Sequence, residues 1–497
     1  MKQPSRAWTW LAVLCVYLYS TIVGERRVWR RTLPEEPHYD VELVGERGSK
    51  KNETLTDIET TPGVEDGNLT CSHLGGPSRS IEEMVYWYKI AGDAQYTSPL
   101  AYHKRSNISR QYLTFEVDEA GWNNVRLSME TAVSIAIATG RILVLPPMQR
   151  LHMLNAKVDG EREKFSLSAF FPLEEMARAT RALEVISFEE FLNTVVLTGQ
   201  VGKDLFPPEN ITNWDVEKQH GRAKDPRNRL WPWMRRIATV LSWKPASCIG
   251  VIPSQAGAEH VGKLRQELLT YIQEFNELEH GDIPSDWQND ANYDRQRFYE
   301  MFAHRSNLCF YGAHRQNTKV LHIVGEEETG HRLLTPFYGL YLQDRRQDLI
   351  VKRLIRDYVR YQDRLQCAAA RIVQAIRHRV RQRQSHNDAH RGQFSALHVR
   401  RGDFLEFSQT AANIRIKDIQ RENLQGRIRP NNTIYISTDE DDMSFFEQLT
   451  KVYDVVLLKD FEHLLEGISP NFYGMVRFPS CTVLELPLLS HQLFSIF

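Results

Sequence analysis

The stretch that decides the fold lies between residues 112 and 147 and reads YLTFEVDEAGWNNVRLSMETAVSIAIATGRILVLPP. Alternating β-branched and aromatic residues predict a strand at 112–117, and apolar residues on one helical face predict a helix at 127–139. Gly140 ends that helix, and a second strand at 142–145 is stopped by two prolines. This order predicts a parallel α/β sheet whose ligand-binding edge carries the loop after the first strand.

A second alternating α/β set begins near residue 394. Its predicted elements are a strand at 394–400, a strand at 433–438, a helix at 443–452 and a strand at 454–458. A long amphipathic helix from Gln347 to about Arg383 precedes this set, and we interpret its arginines as a solvated face. Two α/β sets joined by a long helix predict two Rossmann-like halves that face each other across a cleft.

Length and composition are those of an ordinary globular protein. The chain has 497 residues, of which 42% are hydrophobic and 25% charged, so we expect two domains and flexible ends. We place the N-terminal domain at 81–345, the C-terminal domain at 346–476 and a flexible stem at 25–80. The net charge of -1 gives no overall attraction to nucleic acid or to an anionic membrane, and we expect no nucleic-acid partner.

The N-terminus carries an apolar stretch from Trp8 to Gly24 with basic residues on both sides. Its length of about 17 residues lies at the lower limit for crossing a bilayer, so we favour an uncleaved signal anchor at 1–24 over a cleaved signal peptide. Basic residues on both flanks leave its orientation open.

Five asparagines lie in tripeptides of the N-glycosylation form, and together they favour a lumenal body. They are Asn52, Asn68, Asn107, Asn210 and Asn431. No CxxC pair or Cys/His cluster occurs, which argues against a zinc site. One or two disulfides, or unpaired buried thiols, are open for the four central cysteines, which are Cys71, Cys248, Cys309 and Cys367.

The second set contains His398-Val399-Arg400-Arg401-Gly402-Asp403 at the end of a predicted strand. Two guanidinium groups there can hold a diphosphate in bidentate fashion and stabilise it as a leaving group. The alternative is a structural Arg-Asp pair at the strand end. We reject an adhesion role for Arg401-Gly402-Asp403, since the tripeptide adjoins a strand instead of a loop tip.

Two further motifs leave alternatives open. In residues 121–126 (GWNNVR), Asn123 or Asn124 can donate hydrogen bonds to a substrate, or Asn123 can cap the following helix. In the acidic turn at 439–442 (DEDD), the carboxylates can bind a divalent cation, Asp439 can accept hydrogen bonds from a nucleobase edge, or the carboxylates can cap the next helix.

Four segments in order resemble the GDP-fucose protein O-fucosyltransferase family. They are 121–126 with 140–147 (GRILVLPP), 333–338 (LLTPFY), 397–404 (LHVRRGDF) and 434–440 (IYISTDE). The resemblance runs from about residue 115 to 476. It implies a GT-B fold and metal-independent transfer of fucose from GDP-fucose to a Ser or Thr hydroxyl, or to a glycan, with inversion and without a cofactor. With the N-terminal anchor and the sequons, we expect a single-pass protein of the Golgi or endoplasmic reticulum membrane whose catalytic region is lumenal.

The resemblance assigns roles to residues by position. Arg400 would bind the β-phosphate and assist departure of GDP, with Arg401 beside it. His398 and Asp439 would lie near the guanosine, and Asn123 and Asn124 would line the donor site. Glu119 is the candidate acceptor base, with a surface carboxylate as the alternative.

The chain departs from the family pattern after residue 476. Residues 477–497 form an apolar tail where the family continues into a Thr/Ser-rich loop that touches the donor phosphates. We therefore expect this tail to be a gene-model or splicing artefact, which sequencing of the transcript tests.

Overall fold

A computed structural model describes much of the chain. The described residues are 69, 71–76, 84, 85, 87, 90–102, 110–117, 122–151, 154, 157–158, 161–201, 230–241, 243, 248–278, 284, 292–302, 305–325, 339–384, 392–402, 405, 415–476 and 494–496. The chain divides into a larger unit, Gly67–Arg371 with Leu465–Val476, and a smaller unit that contains Ile372–Leu464.

The larger unit is an α/β assembly. Its helices are α1 (Ala91–Ala94), α2 (Pro99–Tyr102), α3 (Trp122–Thr139), α4 (Leu173–Ala179), α5 (Phe188–Phe191), α6 (Leu230–Ile237), α7 (Ala258–Glu277), α8 (Tyr293–Phe302), α9 (Ala313–Asn317) and α10 (Arg345–Tyr358), followed by the start of α11 (Asp363–Arg383). Its strands are β1 (Tyr112–Phe115), β2 (Ile142–Val144), β3 (Lys157–Val158), β4 (Glu161–Arg162), β5 (Val185–Ile186), β6 (Thr239–Leu241), β7 (Cys248–Ile252), β8 (Asn307–Phe310), β9 (Val320–Ile323) and β10 (Leu340–Leu342).

The strands form a five-stranded sheet in the order β5-β2-β1-β9-β6 and a three-stranded sheet in the order β10-β7-β8, together with a β3-β4 hairpin. Every pairing within the two larger sheets is parallel. The α/β class and the parallel sheets predicted from the sequence are confirmed.

Helix α3 is the centre of the larger unit. Every residue from Ser128 to Thr139 is buried, because the helix packs against the five-stranded sheet on one side and α10 on another. Its hydroxyl side chains bond to carbonyls of the preceding turn, so the buried polar groups are satisfied. Gly140 has φ 62°, which confirms that a glycine ends this helix.

The predicted long helix from Gln347 to Arg383 is wrong as a single element. The structure has two helices, α10 and α11, separated at residues 359–362. The backbone N–H of Gln362 donates to the carbonyl of Phe170 (2.8 Å), a contact between segments far apart in sequence. The domain junction also lies later than the predicted boundary after residue 345, since α10 packs on α3 and stays with the larger unit.

The smaller unit contains one four-stranded parallel sheet in the order β13-β12-β11-β14. Its strands are β11 (Ser395–Val399), β12 (Thr433–Thr438), β13 (Asp454–Leu457) and β14 (Phe494–Ile496), and its short helices are α12 (Ile416–Ile419) and α13 (Glu447–Thr450). The predicted helix at 443–452 is instead a 3₁₀ turn, Met443–Phe446, that leads into α13. Strand β14 comes from the atypical tail and pairs with β11.

Two disulfides join the four central cysteines, Cys71 to Cys367 and Cys248 to Cys309. The first ties residues 71–76 to α11, and the second joins the neighbouring strands β7 and β8. The structure therefore decides for disulfides over unpaired thiols at these positions.

Several predictions concern segments without a described structure. The anchor at 1–24, most of the stem, Glu119 and the sequons at Asn52, Asn68, Asn107 and Asn210 lie outside the described residues. Asn431 is exposed in the turn before β12, with φ 67°. No helix within the described ranges is long and apolar enough to cross a membrane.

Candidate functional site

The carboxyl edge of the smaller unit's sheet brings two predicted motifs together. Strands β11 and β12 are parallel neighbours, and Val399 lies opposite Thr438. The next residues, Arg400 and Asp439, therefore leave the sheet at the same edge. Ligands of parallel α/β sheets bind at this edge, so the tertiary structure unites the basic and acidic motifs where a ligand is expected.

Arg401 is held by three contacts within this edge. Its backbone N–H donates to Asp439 Oδ1 (2.6 Å), its Nε donates to Glu440 Oε2 (2.6 Å), and its guanidinium lies over the ring of Phe445 at 3.9 Å from the centroid. Its side chain is only 15% exposed. The structure thus shows a structural ion pair at Arg401, but its acid is Glu440 of the neighbouring turn and not an aspartate as the alternative expected.

The acid partner, Glu440, is held in place by a hydrogen bond from the backbone of the turn in which it lies. Glu440 Oε1 accepts the backbone N–H of Asp442 (3.0 Å). Burial raises the pKa of the Glu440 carboxyl, but the hydrogen bonds from Arg401 and from the Asp442 backbone outweigh burial and leave that pKa below its usual value. Glu440 is therefore an ionised partner for Arg401 at neutral pH.

Gly402 allows the two motifs to approach each other. A Cβ added at this position would lie 2.6 Å from Asp439 Oδ2 and 2.9 Å from Asp439 Cγ. No side chain fits there unless the Asp439 carboxylate moves, and that carboxylate is held by the N–H of Arg401. The Arg-Gly sequence is thus explained by close contact with the neighbouring strand.

His398 and Arg400 occupy the remaining positions of the basic motif. Leu397 and Val399 are buried on one face of β11, and His398 between them is half-buried on the opposite face. Arg400 is half-buried directly after the strand. Their predicted contacts with guanosine and with the β-phosphate stay predictions.

The carboxylates of the acidic turn at 439–442 have different roles. Asp442 Oδ1 accepts the backbone N–H of Ser444 (3.0 Å), so the capping alternative holds for Asp442. Asp439 is exposed and binds the Arg401 backbone. No cluster of three potential metal ligands occurs among the residues that the structure describes. Recognition of a nucleobase by Asp439 stays a prediction.

The segment 121–126, which we call the first motif, has its described residues 122–126 at the start of α3 in the larger unit. Trp122 donates its indole N–H to the hydroxyl of Tyr361 (2.8 Å) and stacks on Phe171 at 5.9 Å between ring centroids. Asn123 is the second residue of the helix, so it is not the cap, and its side chain is exposed. Asn124 is half-buried. The aromatic contacts fix the helix start and present Asn123 to solvent.

Sequence reasoning missed a buried polar network at the carboxyl edge of the five-stranded sheet. Glu116, directly after β1, accepts two hydrogen bonds from Arg235 of α6 (both 2.7 Å), one from His322 of β9 (2.9 Å) and one from the backbone of Gly325 (3.3 Å). His322 is fully buried, and its Nδ1 lies 2.9 Å from the Thr114 hydroxyl. The only available signal was a charged residue at the end of an apolar strand.

The electrostatics of this network follow from its hydrogen bonds. Burial raises the pKa of the Glu116 carboxyl, but the bonds from His322 and Arg235 outweigh burial and hold the pKa below its usual value. Each carboxylate oxygen already accepts two hydrogen bonds from described residues, which fills its lone pairs. Glu116 is therefore an ionised anchor with no acceptor position left for a substrate proton.

Comparison with known proteins identifies a family. The family model described as GDP-fucose protein O-fucosyltransferase matches residues 112–470, which is more than two thirds of the chain. The matched range includes β1, α3 and the whole of β11 and β12. A search of curated proteins gives no significant match.

Solved structures give further similarities at low sequence identity. Fucosyltransferase NodZ from Bradyrhizobium is 13% identical with a TM-score of 0.29, covering 74% of this chain and 84% of that protein. POFUT1 in complex with GDP is 13% identical with a TM-score of 0.32, covering 78% and 98%. POFUT1 in complex with GDP-fucose is 12% identical with a TM-score of 0.29, also covering 78% and 98%.

Proposed function

The chain belongs to the GDP-fucose protein O-fucosyltransferase family, and on that premise we propose that it transfers fucose from GDP-fucose to a hydroxyl acceptor. The observation that carries the proposal is the edge where Arg400, Gly402 and Asp439 meet at the ends of two parallel strands. An arginine at such an edge suits a pyrophosphate, because its planar guanidinium matches phosphate oxygens and keeps its charge.

The proposed chemistry gives Arg400 and Arg401 different roles. Breaking the bond between fucose and GDP builds negative charge on the β-phosphate, and a guanidinium that meets this charge lowers the barrier. We assign that role to Arg400. Arg401 is engaged by Glu440 and Phe445, so we assign it to holding the edge in shape.

The acceptor hydroxyl must lose a proton during transfer. Glu116 is excluded as the base, because its carboxylate accepts four hydrogen bonds from described residues. Glu119, three residues further along the chain, stays our candidate base. Transfer to Ser or Thr, or to a glycan, with inversion and without a metal completes the proposal. The lumen of the Golgi or endoplasmic reticulum is the proposed site of action, in keeping with the two disulfides.

A GDP-release assay with purified protein and a panel of nucleotide sugars tests this function. We expect release from GDP-fucose, and we expect Arg400→Ala to lower turnover by about a hundredfold or more, since one lost transition-state contact has an effect of this size. Arg429→Ala is the matched control, because Arg429 is an exposed arginine before β12, at the opposite end of that strand.

The outcomes separate the proposal from its alternatives. Release from a different nucleotide sugar would reject fucose as the substrate. Calorimetry that shows GDP binding without turnover of any donor would indicate a binding protein instead of an enzyme. Wild-type turnover by Arg400→Ala would remove Arg400 from the mechanism.

A further inference from the structure

We propose that Glu116 is a positioning residue for the segment of the larger unit that carries Glu119 and residues 121–126, an inference that rests on the proposed function. Its carboxylate joins the ends of β1 and β9 to helix α6 at the ligand-binding edge of the larger unit. The chain that leaves β1 reaches Trp122 and Asn123 within seven residues of Glu116. Glu116 thus holds in place the end of β1, which precedes the first motif in the sequence.

Stability alone does not account for this network. Buried ion pairs lose hydration that their attraction only partly restores, and well-packed apolar residues in their place are often as stable or more so. Here the acid is buried and the base half-buried, with side-chain exposures of 4% for Glu116 and 24% for Arg235. Three further groups of the same edge complete it, namely His322, Thr114 and the Gly325 backbone. A buried polar cluster at the ligand-binding edge therefore contributes more to fixing the positions of the strand ends than to the stability of the fold.

The hydrogen-bond directions make the arrangement specific. A carboxylate only accepts, so His322 Nε2 carries the proton that it donates to Glu116. The indole of Trp231 stacks on the His322 ring at 6.0 Å between centroids, which fixes the plane of the imidazole. Gly325 lies so close that an added Cβ would be 3.0 Å from the carbonyl oxygens of Glu116 and Val117. The backbone at the end of β1 is therefore held from several sides.

The larger unit offers a matched control. Arg353 of α10 donates two hydrogen bonds of 2.6 Å to Asp93 of α1, with side-chain exposures of 29% and 5%. This pair has the same bidentate geometry and nearly the same burial as Arg235 with Glu116, but it joins two helices. A purely structural role predicts that loss of either pair leaves turnover unchanged once the fold is retained.

The experiment compares charge-neutral double variants of the two pairs in the full-length chain. In Glu116→Gln with Arg235→Met no buried charge is left unpaired, so we expect the melting temperature to recover toward wild type relative to Glu116→Gln alone. Turnover of GDP-fucose should nevertheless fall at least tenfold, with little change in KM. Hydrogen exchange of residues 117–126 should rise. Asp93→Asn with Arg353→Met should recover its melting temperature and keep turnover within about twofold of wild type.

The readouts distinguish failure of this inference from failure of the proposed function. Wild-type turnover and exchange in the Glu116/Arg235 double variant would overturn the positioning role. If the wild-type chain turns over no nucleotide sugar, the proposed function fails, and the exchange of residues 117–126 alone decides the positioning role. Should the double variant not fold, Glu116→Asp, which keeps the charge but shortens the reach, must show faster exchange in this segment for the inference to stand.

Discussion

The carboxyl edges of the two main sheets each contain an arginine paired with a glutamate, but the two pairs differ in how completely the acid is satisfied. Glu116 accepts four hydrogen bonds from described residues, contributed by α6, β9 and the turn after β9. Among the same described residues, Glu440 accepts one hydrogen bond from Arg401 and one from the backbone of Asp442. The Glu116 pair connects distant segments inside the larger unit. The Glu440 pair connects two adjacent strand ends beside Asp439, which is exposed.

This difference shows how one pair of residue types serves two purposes. A saturated, buried carboxylate fixes backbone segments from distant parts of the chain and is closed to ligands. A carboxylate with two partners, beside an exposed acid, holds a loop while leaving room for a ligand to approach. The same substitution in both pairs therefore tests the comparison directly.

The largest effect is expected for Glu116→Gln. A glutamine has one acceptor oxygen and an NH₂ group that would face other donors, so the half-buried guanidinium of Arg235 loses its counter-charge. We expect the free energy of unfolding to fall by about 3–5 kcal/mol, measured by urea denaturation. A loss of unfolding free energy below about 1 kcal/mol would show that the residues around Glu116 rearrange to accommodate the glutamine.

The effect of Glu116→Gln should also depend on pH. The folded-state pKa of Glu116 is lowered, so the ionised carboxyl contributes stability that is fully present above the unfolded-state pKa of about 4.3 and is lost as the pH falls through the folded-state pKa. Glutamine does not titrate. Urea denaturation between pH 7 and pH 3 should therefore show the two proteins converging at low pH, and a constant difference would contradict the ion pair.

A smaller effect is expected for Gly402→Ala, which probes the approach of the two strand ends. The added Cβ displaces the Asp439 carboxylate and breaks its hydrogen bond from the Arg401 N–H. We expect GDP affinity to fall by about tenfold in calorimetry, the equivalent of one charge-assisted hydrogen bond. Ala169→Gly, a change of the same size in the larger unit, is the control, and unchanged affinity in Gly402→Ala would separate this contact from donor binding.

The smallest effect is expected for Glu440→Gln. The amide oxygen can still accept the Arg401 Nε–H, so a hydrogen bond between two opposite charges becomes one between a charged guanidinium and a neutral oxygen. We expect a loss of about 1 kcal/mol in urea denaturation, well below that of Glu116→Gln. Equal losses for the two variants would mean that saturation of the carboxylate does not distinguish the two edges.

Much of the fold could be predicted from local patterns. Strand β12 begins and ends at the predicted residues 433 and 438, and Gly140 ends α3 as expected. These features depend on side-chain alternation and glycine conformation within a few residues. The break between α10 and α11 could not be predicted, because the backbone N–H of Gln362 there has its partner at Phe170, far away in sequence.

The candidate site divides in the same way. The sequence placed Arg400 at a strand end and identified the family motifs that the family model matches. It could not distinguish the two neighbouring arginines, since the partners of Arg401 come from the next strand and its turn. It also missed Glu116, whose partner His322 lies 206 residues away.

The sequence by itself therefore determined the parallel α/β class, the order of the motifs and their positions at strand ends, because periodicity and turn residues act over short ranges of the chain. Only the tertiary structure decided that the Glu116 carboxylate is saturated and that Glu440 is the acid partner of Arg401. Hydrogen bonds and burial depend on groups that the fold brings together from distant segments, and no local pattern encodes those distances.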